Sequence, residues 1–214
     1  MKLRKLALRT CNQDGTSYGG FQWPLEVGAK VSAPDWNPEP ECGNGLHGLL
    51  WGAGYCFLLN CLDPDRVWMV VEVEDYVDFE GKIKFPECII RYIGDRDGAV
   101  EMIQKEAPPE CMVNFARKTV GENQIAAVGD YGTAIAGFGG TAIAGGNGTA
   151  TAGDLGVAIA GGRGKATAGS HGRILINYFD SEDRLRTLVG YIGENGLKPN
   201  TPYRVEDGKF VEET

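Results

Sequence analysis

No stretch of this 214-residue chain approaches the roughly 20 apolar residues that a membrane span needs, so no apolar helix is expected to cross a bilayer. The start, Met1 to Thr10, is basic but lacks an apolar core of signal-peptide length. Its alternation of Leu3, Leu6 and Leu8 predicts a first strand, and the missing leader predicts a protein that stays in the cytoplasm. There is no run of Lys or Arg, and the net charge is −8, which argues against duplex nucleic acid as a partner. Histidine is scarce, with only His47 and His171, and no Cys-x-x-Cys pair occurs among the six cysteines. Zinc would need Cys42, His47, Cys56 and Cys61 to converge, which their spacing permits but does not favour. No metal and no cofactor is therefore expected, and the thiols are expected to be reduced and mostly buried.

Glycine is abundant but local. Of 32 glycines, 16 lie between Gly121 and Gly172, so the bias marks one structural segment. There the chain repeats every eight residues: GDYGTAIA, GFGGTAIA, GGNGTATA, GDLGVAIA, GGRGKATA, flanked by the degenerate GENQIAAV and GSHGRILI. A period of eight fits neither helix nor heptad, and two glycines per unit oppose helix. No Asp recurs at a fixed position, which excludes the calcium-binding nonapeptide type. Within each octad the Gly, Ala and Ala at positions four, six and eight share one face. Those small residues are expected to face a slim interior, with the G-x-x-G glycines supplying positive φ at a corner. Two octads would make one 16-residue coil. Alternate octads do match outwardly: Ile143, Val157, Ile159 and Leu175 form one greasy face, while Thr133, Thr149, Thr151 and Thr167 fall on the other. An antiparallel meander is the competing geometry. The greasy stripe must pack on the rest of the chain or on a second copy, so a homo-oligomer is expected.

The predicted architecture is an α+β head followed by a short β-solenoid of octapeptide repeats (16 residues per coil) and a C-terminal β-hairpin cap. The boundaries are 1–120, 121–176 and 177–214. In the head, Val67 to Val73 alternates as a strand, and Lys82 to Ile93 is a second apolar run broken by Pro86. Asp97 is expected to cap a helix presenting Ala99, Met102 and Ile103, and Cys111 to Ala116 to form another short helix.

Three resemblances follow from these motifs. The Cys-Gly-x-Gly-Leu-His string at Cys42–His47, the Val67–Glu74 strand and a Lys-x-x-x-Pro-x-Cys segment at Lys82–Cys88 resemble an uncharacterised family of phage and prophage proteins. That family joins such a module to octads rich in Gly-Thr-Ala-x-Ala and ends in a tail like Gly190–Tyr203. The resemblance covers nearly the whole chain. It brings no established activity with it. The regular array and the absence of a catalytic constellation predict a non-enzymatic interaction protein self-associating through the solenoid, and in a phage setting it would sit in the host cytoplasm and bind a host protein, such as a defence factor, or its small nucleotide signal. Secondly, His47, Tyr55 and Glu72, with Gly52–Phe57, are similar to the His, Tyr, Glu trio of ADP-ribosyltransferases, which implies a nucleotide-directed transferase or hydrolase as the alternative. Gly43, Asn44 and Gly45 beside His47 would then contact the ligand, although no Lys-Ser/Thr follows as in a P-loop. His47 also reads as a structural residue fixing a glycine-rich turn. Thirdly, the octad register resembles that of bacterial ice-nucleation repeats. Only Thr149 and Thr151 form a full Thr-x-Thr within an octad, so ice binding is not expected from that count. The acidic stretch Glu72 to Glu80 reads as a solvated strand end.

Overall fold

A computed structural model describes residues 5–79 and 81–213. Met1–Arg4 of the expected first strand and Glu80 of the acidic stretch lie outside them. The chain divides between Val113 and Asn114 into two compact units.

The first unit is mainly β, not an even α+β mixture. Its strands are β1 (Lys5–Cys11), β2 (Lys30–Ser32), β3 (Leu46–Leu50), β4 (Val67–Val73), β5 (Val77–Phe79), β6 (Lys82–Phe85) and β7 (Glu87–Gly94). They form one antiparallel sheet in the order β2-β7-β4-β1-β3-β6-β5. Pro86 falls between β6 and β7, where the chain leaves one side of the sheet for the other. A residue without an N–H belongs at such a break in pairing. The β4–β7 pairing shifts register between Val70 and Val71. One face of the sheet buries Ala7, Met69, Val71, Ile83, Phe85 and Ile90 around Trp23. The central strands β1 and β4 are buried on both faces, which is why their sequences run apolar rather than strictly alternating.

The single α-helix among the described residues is α1 (Arg96–Glu106), which packs on β1, β4 and β7 and buries Ala99, Val100 and Ile103. Its N-cap is Asp95, whose carboxylate accepts the Gly98 N–H. Asp97 sits inside the first turn, where its charge favours the helix dipole. The second expected helix does not form. Phe115 takes a positive φ of 63°, because residues 113–120 are already an octad in disguise, V-N-F-A-R-K-T-V.

That octad opens the second unit. Strands β8 (Arg117–Val120), β10 (Thr133–Ala136), β12 (Thr149–Ala152) and β14 (Lys165–Ala168) pair in parallel, each with the strand 16 residues on. So do β9 (Ile125–Val128), β11 (Thr141–Ala144), β13 (Val157–Ala160) and β15 (Arg173–Phe179). The array is a β-solenoid of about four turns with 16 residues per coil, and the meander is excluded. The inward face is Gly, Ala, Ala as the repeat requires: Ala142, Ala144, Ala158 and Ala160 are all buried. The outward residues of the five exact octads, Ile143 and Ile159 included, are half-buried.

The corners work differently from the sequence expectation. Positive φ falls on the third octad position, at Asn123, Tyr131, Gly139, Asn147, Leu155, Arg163 and His171, with φ between 54° and 64°. Six of these seven are not glycine. The first five of these corners are tied to the next coil by backbone bonds, such as Tyr131 N–H to the Gly146 carbonyl at 2.9 Å and Leu155 N–H to the Ser170 carbonyl at 2.9 Å. The glycines serve close approach instead. A Cβ at Gly148 would lie 2.8 Å from the Ala144 methyl and 3.0 Å from the Gly132 carbonyl oxygen. Side chains at the second position add a parallel ladder: Asn114 accepts the Asp130 N–H, and Asp130 accepts the Gly146 N–H at 2.7 Å.

After the array, β16 (Leu185–Tyr191) pairs with β15, and β17 (Tyr203–Glu206) pairs with β14 and with β18 (Lys209–Glu212). Asp207 and Gly208, both at positive φ, make the tight β17–β18 turn. Ile174, Ile176, Ile192, Leu197 and Tyr203 are buried here, bulkier than the alanines of the inner coils.

Ala150→Leu should lower the stability of the full chain by about 1–3 kcal/mol through overpacking, and Gly148→Ala by a similar amount. Thr149→Ser, facing outward, should change it by less than about 0.5 kcal/mol. Urea midpoints report all three, and an unaffected Ala150→Leu would contradict the slim interior.

Candidate functional site

The head carries an open cleft of about 940 Å³. Its walls include Arg9 of β1, Trp23, Asp35, the Cys42–Gly45 loop, His47 of β3, Arg66 and Lys82 of β6. The loop enters β3 through three positive φ angles at Gly43, Asn44 and Gly45. Gly45 could not be replaced, since a Cβ would press to 2.9 Å of the Trp36 ring. The Gly45 N–H is donated to the Asp35 carboxylate at 2.9 Å, so it is not free to cradle a phosphate.

Cations dominate this part of the sheet. The Arg9 guanidinium lies 3.4 Å from the centroid of the Trp23 ring and donates to the carbonyls of His47 and Thr10 at 3.2 and 3.3 Å. Burial lowers its pKa to about 9, because charge is costly away from water. Lys82 Nζ stands 3.0 Å from Cys42 Sγ. Lys84, fully buried behind the cleft, donates to the Glu41 carbonyl at 3.2 Å. Arg66 is held by Asn12 at 2.6 Å and by Asp63 at 3.2 Å.

His47 packs edge-on against Phe79, with ring centroids 6.1 Å apart, and its Nε2 is buried without a hydrogen-bond partner. Burial first, then Lys82, Lys84 and Arg9, push its pKa down to about 4. It is a neutral imidazole at physiological pH.

The proposed trio does not assemble. Tyr55 precedes a short 3-10 helix (Cys56–Leu59), packs on Phe57 and does not line the cleft. Glu72 lies on β4, separated from β3 by β1, and is paired with Arg91 at 2.7 Å. Together with Glu74, Glu87 and Lys30 it lines a separate cavity of about 150 Å³. Among the described residues no three His, Cys, Asp or Glu side chains group closely enough to hold a metal ion. Cys56 and Cys61 face each other at 4.0 Å as thiols, and Cys42 is exposed. The sequence reading missed Arg9, Trp23, Lys82 and Lys84. The available signal was a pair of lysines alternating with Ile83 and Phe85 on a strand.

The solenoid offers two further surfaces. On the six-stranded sheet, Thr119, Ile135, Thr151 and Thr167 form one outward row across β8, β10, β12 and β14, and Arg117, Thr133, Thr149 and Lys165 form the next. On the five-stranded sheet, Ile143, Ile159, Leu175 and Val189 stand in register, with Val157 beside them. Ile125, Phe179, Leu185 and Tyr191 extend that apolar face and are exposed.

The fold thus defines a β-solenoid repeat protein with a mainly β head. Residues 5–104 match a family model described as a domain of unknown function (DUF7666). The chain is 36% identical over 107 residues to an ice nucleation protein of Xanthomonas campestris pv. translucens, covering 48% of this chain and 7% of that protein. It is 35% identical over 102 residues to ice nucleation protein InaU of Pantoea ananas, 46% of this chain and 10% of that one. It is also 35% identical over 111 residues to an ice nucleation protein of Pseudomonas syringae, 50% and 9% respectively. The chain therefore spans no more than a tenth of these relatives. No solved structure matches.

These findings correct three expectations. The phage and prophage assignment falls, because the similar proteins are bacterial ice nucleation proteins. The host-factor function inferred from it falls too, and the enzyme alternative has no support in the placement of Tyr55 and Glu72. The cytoplasmic placement, drawn from the missing leader and the missing apolar span, falls as well: the similar proteins are ice nucleation proteins, and the lack of an apolar membrane-crossing helix among the described residues does not place the chain in any compartment.

The neutral His47 has a pH consequence. Its unfolded form takes up a proton below about 6.5, whereas the folded form resists until about 4, so stability is lost as pH falls through that window. Urea midpoints measured from pH 7 to pH 4 should fall for the natural chain, and His47→Gln should flatten that decline.

Proposed function

We propose that this chain is an ice-nucleation-like repeat protein whose threonine-bearing solenoid face orders water into an ice-compatible layer. The observation that carries the reading is the in-register set Thr119, Thr133, Thr149, Thr151 and Thr167 on strands at the regular 4.7–4.8 Å spacing of a sheet. Hydroxyls repeated on a rigid lattice can anchor water at fixed positions, and the interleaved methyls and Ile135 keep that water from turning inward. The similarity to proteins named for ice nucleation supports the same reading. Counting Thr-x-Thr pairs within single octads undervalued this face, because Thr119 belongs to the disguised first octad and Thr133 sits beside an isoleucine.

Four rungs span only about 15 Å, so one copy is a small template. The apolar face of Ile143, Val157, Ile159 and Leu175, on the sheet opposite the threonines, is the surface we assign to a second copy; pairing through it leaves the threonine faces of both copies open to water. Contiguous exposed apolar patches of several hundred Å² mark such contacts. The C-terminal strands β16 to β18 would act as the solenoid's cap, with Tyr203 over the last coils, protecting the edge that would otherwise recruit another chain.

Freezing of supercooled microlitre droplets tests the reading. The natural chain should raise the median freezing temperature above buffer, and the double variant Thr149→Lys, Thr151→Lys should lose most of that rise. Ile143→Lys with Ile159→Lys should give smaller particles in sedimentation and a smaller rise. Droplets that freeze with buffer at every protein concentration would overturn the proposal.

A further inference from the structure

The head cleft holds more buried positive charge than the fold uses. Arg9 and Lys82 are each only 8% exposed and Lys84 is 0% exposed, in a chain of net charge −8. Among the described residues, none of the three is paired with a carboxylate: Arg9 and Lys84 donate to backbone carbonyls, and Lys82 meets a thiol. Arg9 Nε and His47 Nε2 are buried with no partner at all. Buried cations that lack counter-charge are costly, and they are retained where an anion completes them. Asp35 is the carboxylate on this wall, and it is engaged by the Gly45 N–H.

We propose that this cleft is a binding site for a small phosphate monoester. Lys82 and Arg9 take the phosphoryl oxygens, Lys84 raises the potential from behind, and the organic portion lies on Tyr18, Phe57 and Leu58 at the rim. Each part follows from what is present. More than one unopposed cation suits a dianion better than a single carboxylate, and Arg and Lys bind phosphoryl oxygens through charge-assisted hydrogen bonds. The cavity volume is that of a small-molecule site. Tyr18, Phe57 and Leu58 line the cleft and are exposed, leaving apolar surface for an organic group. The inference concerns the head alone and is independent of the solenoid's role.

Calorimetric titration of the full chain at low ionic strength tests it, with inorganic phosphate, phenyl phosphate and acetate as probes. Phenyl phosphate should bind, inorganic phosphate should bind several-fold more weakly, and acetate should not compete. Lys82→Gln should weaken phenyl phosphate about tenfold or more, and Asp35→Asn should tighten it by removing the opposing charge. Should Arg9→Gln fail to fold, those two variants still decide the matter. No binding of either phosphate, or affinities unmoved by Lys82→Gln, would overturn the site. Equal affinity for inorganic and phenyl phosphate would overturn the monoester assignment.

Discussion

The separation between the two parallel sheets of the solenoid is set by alanine methyls meeting across its interior. That contact depends in turn on glycine at the fourth octad position, where the Ala144 methyl and the Gly132 carbonyl leave no room for a Cβ at Gly148. Once the sheets are this close, the chain must turn every eight residues, and each coil must sit one strand spacing from the last. The outward residues then inherit a lattice they do not build. Thr149 and Thr151 stand beside Thr133 and Thr167 because the methyls beneath them permit only one register. Whatever the outer faces do, they do as passengers on this packing.

The head solves a different problem. Its central strands are buried on both sides, and the buried polar side chains among its described residues, Arg9, Lys82 and Lys84, are all cations. Arg9 is spread over the Trp23 ring, which lets a delocalised charge be buried more cheaply than a compact ammonium. Lys84 has no such help beyond its carbonyl partner and the distant Trp36 and Phe79 rings. Burial first, and then the positive potential they create, explains the neutral His47 beside them.

Legibility followed the strength of local repetition. Coil length, inward face and parallel pairing were readable because five octads repeat without exception, so each residue's environment is stated several times over. The ends were not. Asn114-Phe115-Ala116 carries the corner geometry with alanine in place of glycine, and no pattern search on glycine detects it. The corner conformation was misassigned because glycine usually signals positive φ, whereas here backbone bonds to the adjacent coil hold Tyr131, Asn147 and Leu155 in that region. In the head, Val67–Val73 and the helix before Pro108 were visible in periodicity. The cleft was not, since it gathers Arg9, His47 and Lys82 from strands distant in sequence. Gly43, Asn44, Gly45 and His47 do border it, while Tyr55 and Glu72 looked like companions only through motif spacing.

The sixteen-residue offset between paired strands governs how such an array can grow or shrink. Gaining or losing two octads together re-forms the same ladder, with the Asn114–Asp130–Gly146 column simply longer or shorter. Removing a single octad moves every later strand to the opposite sheet, so isoleucines land among threonines and both surfaces are scrambled beyond that point. Length in this architecture is therefore quantised, and the unit of inheritance is the pair, not the repeat.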